Sequence, residues 1–196
     1  TAKIAQRAGI RTVIVSNGYI NSEPLTELCH YIDAANIDLK SMNDKVYRKL
    51  TGGSLQPVLD TILTLKKLNV WVEITHLLIP EFTDDLKDFE SLCQWLVNNN
   101  LTDTPLHISR FFPNYKLAHL PASPVETLIK AEKIAKNTGL QYVYLGNVHL
   151  PTSGNTYCPN CGNLLVERHG YNILTNKVVK NKCYNCVKEI SGIWVS

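Results

Sequence analysis

Two hydrophobic periods alternate along this chain, and their order predicts most of its elements. Thr12-Val13-Ile14-Val15 is a β-branched run closed by Ser16-Asn17-Gly18, which reads as a strand and a turn. Leu25, Leu28, Cys29 and Ile32 follow at helical spacing, with Ser22 as the expected cap. Residues 36–40 form the next strand, and Thr51-Gly52-Gly53 breaks the chain. A helix capped by Ser54 then carries Leu55, Val58, Leu59, Ile62, Leu65 and Leu68 on one face, with Pro57 tolerated in its first turn. Residues 70–79 are the longest β-rich run, closed by Pro80. Asp84 or Asp85 starts a helix bearing Leu86, Phe89, Leu92, Cys93 and Leu96, and residues 106–111 return to the strand period. Ser123-Pro124-Val125-Glu126 has a cap, a proline at the first helical position and a capping-box glutamate. That helix ends at Gly139, and residues 141–145 form a last strand ending in Gly146-Asn147.

Five strands separated by helical connections imply a parallel sheet with helices packed outside it. A full eight-stranded barrel takes about 250 residues, so five units make part of one. In such folds the chemistry sits at the C-terminal strand ends. Those ends carry Asn17, Asp38 with Lys40, residues 75–80, Arg110 and Asn147.

Asn36-Ile37-Asp38-Leu39-Lys40 has the sharpest pattern of these. Side chains alternate along a strand, so Asp38 and Lys40 share one face while Ile37 and Leu39 take the other. Two residues of rise separate the charged pair by about 6.6 Å, close enough to hold one ligand between them. A structural ion pair is the competing reading. His76 and His107 lie in apolar strands and read as core histidines; Trp71 and Tyr144 read as core aromatics.

Composition adds a second unit. The chain has 196 residues, 44% of them apolar, and a net charge of +3. Residues 1–150 carry fifteen basic and fifteen acidic side chains, so the excess lies in residues 151–196, with five basic and two acidic. Four of the six cysteines lie there too, as Cys158-Pro-Asn-Cys161 and Cys183-Tyr-Asn-Cys186 separated by 21 residues. This spacing suits four thiolates around one tetrahedral ion, with zinc preferred over iron. A closed four-thiolate site is structural, and a module this small needs the metal to fold. The expected division is a partial barrel over 1–150 and a metal ribbon over 151–196, with Trp194 stapling the ribbon to the barrel. Paired C-x-x-C spacing points to a reducing, cytoplasmic compartment. Nothing in the sequence reads as a membrane span, and the basic residues lack the clustering of a nucleic-acid surface. Residues 1–9 read as the end of an amphipathic helix stopped by Gly9, so the chain is expected to open in mid-fold.

Ser16-Asn17-Gly18, Asp38-Leu39-Lys40, Tyr47-Arg48-Lys49-Leu50-Thr51-Gly52, Leu78-Ile79-Pro80 and His107-Ile108-Ser109-Arg110-Phe111 occur here in order. Together they resemble landmarks of the radical S-adenosylmethionine (radical SAM) enzymes, nearest the pyruvate formate-lyase activating enzymes. Val143-Tyr144-Leu145-Gly146-Asn147-Val148 and Asn155-Thr156-Tyr157-Cys158-Pro159-Asn160-Cys161-Gly162 resemble the radical enzyme of the AmmeMemoRadiSam system, metal ribbon included.

The resemblance implies a partial parallel (β/α) barrel of radical SAM type with a small C-terminal four-cysteine zinc ribbon. It implies S-adenosylmethionine at the open top, with Asp38 and Lys40 at its methionyl end, Asn17 and Arg110 beside the same pocket and Ile79 against the adenine. The activating enzymes carry an arginine near Thr75 and a histidine near Phe112; this chain has neither there, although His76 and Arg110 are adjacent. The family reaction needs a four-iron four-sulfur cluster held by C-x-x-x-C-x-x-C, and no cysteines here have that spacing. The expectation is the C-terminal portion of a radical enzyme whose cluster ligands lie upstream, inactive alone. Activating enzymes act on a glycine in a partner protein, which makes a protein substrate the implied partner. The alternative is a non-catalytic α/β scaffold whose ribbon docks a protein or nucleic acid.

Overall fold

A computed structural model describes residues 1–194. Strands β1 (Val13–Ser16), β2 (Ala34–Asp38), β3 (Trp71–Leu78), β4 (Leu106–Arg110) and β5 (Val143–Gly146) lie side by side in chain order. Every neighbouring pair is parallel. The helices are α1 (Ala2–Arg7), α2 (Ser22–Cys29), α3 (Asp44–Thr51), α4 (Gln56–Lys67), α5 (Leu86–Asn98) and α6 (Val125–Thr138). Sequential order with crossovers of one hand puts the helices on a single face and curves the sheet towards a barrel.

Strand alternation explains which face each residue takes. Ile37, Leu39, Ile74, Leu106 and Ile108 are fully buried with Ile62, Leu65, Phe89, Leu92 and Leu96 from the helices. Asn36, Asp38, Glu73, Thr75, His107 and Tyr144 point to the other, concave face, where they are only half-buried. Trp71 and Tyr144 therefore line the open face instead of the helix-side core expected for them.

Four helix starts differ from the sequence pattern. The α2 helix begins at Ser22 itself, with Asn21 at the cap position and no side-chain cap hydrogen bond, so Ser22 is not its cap. The other three differ for local reasons. Residues 44–51 form α3 although only Tyr47 is buried in it; Asn43 caps it through the backbone N–H groups of Lys45 and Val46, and Gly52 closes it at φ 75°. The α4 helix starts at Gln56 without a Ser54 cap, because Asp44 from α3 accepts from the Leu55 N–H at 2.8 Å. The Ser123 hydroxyl donates to the Leu78 carbonyl and accepts from the Phe111 N–H, so it ties strand ends together instead of capping α6.

His76 is 1% exposed. Its Nδ1–H donates to the Leu39 carbonyl at 2.9 Å, and Nε2 has no partner among the described residues. Burial holds its pKa below the usual histidine value. The folded state thus resists a proton that the unfolded chain accepts near pH 6.5. Its contribution to stability is present above that pH and lost as pH falls below it, at up to about 1.4 kcal/mol per pH unit. Urea unfolding at about pH 7 and about pH 5.5 should show this loss, and His76→Gln should shrink it. An unchanged pH slope in the variant refutes the assignment.

A second small sheet follows. Strands β6 (Thr156–Tyr157), β7 (Leu164–His169) and β8 (Asn172–Asn176) are antiparallel, as are β9 (Val178–Val179) and β10 (Lys182–Cys183). Cys158, Leu165, Val166, Cys183 and Ile190 pack over Tyr142, which immediately precedes β5. The Trp194 indole N–H donates to the Ile190 carbonyl beside the same cluster. The Leu145 N–H donates to the Ser153 carbonyl at 3.0 Å and the Tyr144 hydroxyl meets Thr156 at 2.9 Å, so the ribbon covers the outer edge of β5. Among the described residues, no helix is long and apolar enough to cross a membrane.

Candidate functional site

Asp38 ends β2, and Lys40 follows it on the same side of the chain, past the last strand residue. Lys40 Nζ and an Asp38 carboxylate oxygen lie 2.8 Å apart, with the side chains 27% and 31% exposed. The two groups therefore lean together as an ion pair rather than standing a full strand repeat apart. They are neither outward beneath a helix nor sealed from the rim. Below them, Ile37 and Leu39 are clamped in the helix-side core, and His76 fixes the carbonyl between the two charges. Tyr47 packs under the pair; burial first, and the Asp38 charge second, push its phenol up to about 12.

The other expected rim residues are distributed unevenly. Asn17 follows β1 beside Asp38, exposed, with its side-chain oxygen accepting from the Tyr19 N–H at 3.0 Å. Ile79 is buried with Phe111 and Leu120 in a cluster at the ends of β3 and β4. Arg110 pairs in register with Leu78, on the helix side of β4; its Nε–H donates to the Ser123 carbonyl and its guanidinium lies 4.8 Å from the Phe112 ring. Asn17, Asp38 and Lys40 thus stand together on adjacent strand ends, and Arg110 faces another direction.

Sequence reasoning placed Thr75 at a strand end but missed its bond to Asn36 and the Glu73–His107 pair lower on the concave face. Thr75 donates to the Asn36 side-chain oxygen at 2.8 Å. Glu73 and His107 Nε2 are 2.7 Å apart, and the Trp71 indole N–H donates to the other Glu73 oxygen at 3.2 Å. Burial pushes the Glu73 carboxyl up, but the hydrogen bonds from His107 and Trp71, with the Arg168 charge nearby, carry the net shift downwards. His107 is therefore half-exposed and paired, not a core histidine. The signal was present: Asn36 and Glu73 are the polar members of an alternating pattern.

The ribbon brings its four cysteines together. Their sulfurs all lie within 4.8 Å of one another, with Cys158–Cys186 at 3.6 Å and Cys161–Cys183 at 3.7 Å. Tetrahedral thiolates at metal–sulfur distances of about 2.3 Å sit about 3.8 Å apart, so the set fits one ion. The Asn163 amide hydrogen-bonds Cys161 and lowers its thiol pKa to about 6, while burial raises that of Cys158 to about 11. Both knuckles turn through a left-handed residue: Gly162 at φ 70° after the first, and Val187 at φ 52° after the second. Glycine takes that conformation freely; valine there is strained.

Comparison with known proteins gives this geometry its context. Residues 1–96 match the family profile described as the Radical SAM superfamily. Residues 1–96 belong to the radical SAM superfamily. It is 43% identical over 192 residues to an uncharacterized protein of Methanocaldococcus jannaschii, covering 97% of this chain and 57% of that protein. It is 32% identical over 85 residues to the pyruvate formate-lyase 1-activating enzyme of Escherichia coli, covering 42% of this chain and 35% of the enzyme. The chain thus spans about half or less of these relatives' length. A crystallised domain of pyruvate-formate lyase-activating enzyme from Bacteroides vulgatus shares the fold at TM-score 0.63 and 20% identity, over 74% of this chain and 87% of that one. A radical SAM methyltransferase from Sphaerobacter thermophilus does so at TM-score 0.58 and 14% identity, over 80% and 46%.

Proposed function

We propose that the Asp38/Lys40 rim binds the methionyl end of S-adenosylmethionine within a radical enzyme similar to the glycyl-radical activating enzymes. One observation carries the reading: a carboxylate and an ammonium, on one face of a parallel strand end, are paired to each other yet a quarter to a third exposed. A zwitterionic amino-acid group can replace each partner with its own opposite charge, the ammonium meeting the ligand carboxylate and the carboxylate its amino group. Asn17 supplies a further polar contact at the adjacent strand end.

The residues at this rim do not fit an iron-sulfur cluster. Cys29 and Cys93 lie within α2 and α5, and the other four cysteines form the closed set in the ribbon. In our reading the cluster is held by residues outside these 196, in a C-x-x-x-C-x-x-C motif. The 196 residues then bind and orient the cofactor without cleaving it. We assign zinc to the ribbon and the cytoplasm as compartment, on the same thiolate chemistry.

Titrating S-adenosylmethionine into the protein tests the rim. Lys40→Met should weaken binding roughly ten- to hundredfold, the loss of one charge-assisted hydrogen bond. Affinity unchanged in both Lys40→Met and Asp38→Asn sinks the reading. Formation of 5′-deoxyadenosine by a cluster-reconstituted preparation of these residues alone would overturn the claim that the portion is inactive.

A further inference from the structure

Between the concave face and the ribbon lies a cavity of about 910 Å³, set below the Asp38/Lys40 rim and not including it. That volume is at the upper end for small-molecule pockets, which combine largely apolar walls with a few convergent polar groups. Here the aromatic walls include Trp71 and Tyr144; Glu73, His107 and Arg168 are the polar groups on β3, β4 and β7, and Arg11, Asp33 and Asn36 line the side nearer β1 and β2. The cavity needs both units: β3, β4 and β5 supply its floor, and β7 of the ribbon supplies Arg168.

The hydrogen bonds already made decide what the cavity still offers. Both Glu73 oxygens accept, one from Trp71 and one from His107, so the carboxylate is engaged. Arg168 uses Nη1 for the Gly154 carbonyl at 2.7 Å and the Thr156 hydroxyl at 2.8 Å. Its Nε and Nη2 have no acceptor among the described residues, and His107 Nδ1 has no partner there either. His107 is held in place by Glu73 on one side and by stacking on Tyr144, with ring centroids 5.3 Å apart. Among these three groups the unused capacity is a guanidinium edge with two donors and, on a neutral imidazole that donates through Nε2, one acceptor. A guanidinium edge with two donors matches a planar carboxylate. An imidazole lone pair matches a hydroxyl or amino hydrogen.

We propose that this cavity binds a small organic carboxylate carrying a hydroxyl or amino group near the acid. The carboxylate pairs with Arg168, the donor meets His107 Nδ1, and the remainder of the ligand lies along the aromatic walls. Glu73 is a positioning residue: it fixes the tautomer that leaves Nδ1 free to accept. The pocket does not depend on the cofactor reading of the rim above it.

Phenyllactate is a suitable probe, read through the ring resonances of His107 in a titration followed by NMR. Saturable shifts should appear with phenyllactate. Its methyl ester, which removes the charge, should bind roughly ten- to hundredfold more weakly. Phenylpropionate, which keeps the acid and lacks the hydroxyl, should fall between the two. Arg168→Gln should abolish the difference between acid and ester, and Glu73→Gln should weaken the acid without altering that difference. The acid–ester comparison in the unaltered chain holds even if Arg168→Gln loosens the ribbon. No saturable shift with phenyllactate, or equal affinity for acid and ester, overturns the proposal. Phenyllactate binding without S-adenosylmethionine binding would refute the rim and leave this pocket standing.

Discussion

Cys183→Ser should empty the ribbon of metal and unfold it while the five-stranded sheet stays folded. Metal content by plasma emission should fall from about one ion per chain towards zero. The reason lies in how little else holds residues 151–194 together. The small buried cluster consists of Leu165, Val166 and Ile190 over Tyr142, with two of its members, Cys158 and Cys183, being ligands themselves. Burying such a side chain contributes about 1.5–3 kcal/mol, whereas ordering each backbone residue costs about 1–2 kcal/mol. Metal ligation contributes roughly 10–16 kcal/mol in comparable zinc peptides, which makes it the dominant favourable contribution here. Losing one of four thiolates removes most of that. The sheet has its own core of fully buried Leu and Ile residues and does not depend on the ribbon for it. Its outer edge at β5 should nevertheless lose protection, because the Leu145 N–H bonds to Ser153 at the ribbon's entrance. Hydrogen exchange should therefore show β6 to β10 and the Leu145 amide becoming labile while Ile74 and Leu106 stay protected. Full metal occupancy in the variant, or collapse of both sheets together, refutes this account.

The same contrast explains what the sequence made readable. The parallel sheet was legible because each strand is a short β-branched or alternating run and each connection a helix with its own apolar face. Asp38 and Lys40 were legible because alternation fixes their side independently of tertiary detail. The four-cysteine set was legible because thiolate spacing is a local property. Interactions between distant segments were not. Asp44 replacing Ser54 at the start of α4 and Ser123 bridging two strands both depend on neighbours far along the chain. Arg110's helix-side position, by contrast, follows from alternation, two residues after the buried Ile108, and departs from the pocket position that the resemblance implied. His107 looked apolar in context because its partner, Glu73, is 34 residues away on the next strand. The cavity between sheet and ribbon could not be read at all, since it exists only once β7 has docked against β5.

Gly18→Ala should destabilise the sheet by about 2–4 kcal/mol and weaken any ligand held at the Asp38 rim. Gly18 ends the turn after β1 with φ 71°, so any side chain there enters the left-handed region at a cost of about 1–2 kcal/mol. A Cβ at this position would also stand 2.8 Å from Ile37 Cγ2 and 3.1 Å from Val58 Cγ1. Neither neighbour has room to move: both are fully buried, Ile37 in β2 and Val58 in α4. Overpacking of that kind costs typically about 1–3 kcal/mol, partly offset by about 0.4–1 kcal/mol from a stiffer unfolded chain. Gly52 provides the control: its φ is 75°, and a Cβ added there would meet nothing within 4 Å. Gly52→Ala should therefore cost about 1 kcal/mol from the backbone alone. The difference between the two variants in urea unfolding isolates the steric part, and equal losses would show that the contact with Ile37 carries no weight. The functional consequence follows from alternation. Ile37 immediately precedes Asp38, so relieving the clash by moving Ile37 shifts the strand end on which the carboxylate is mounted, and Lys40 with it.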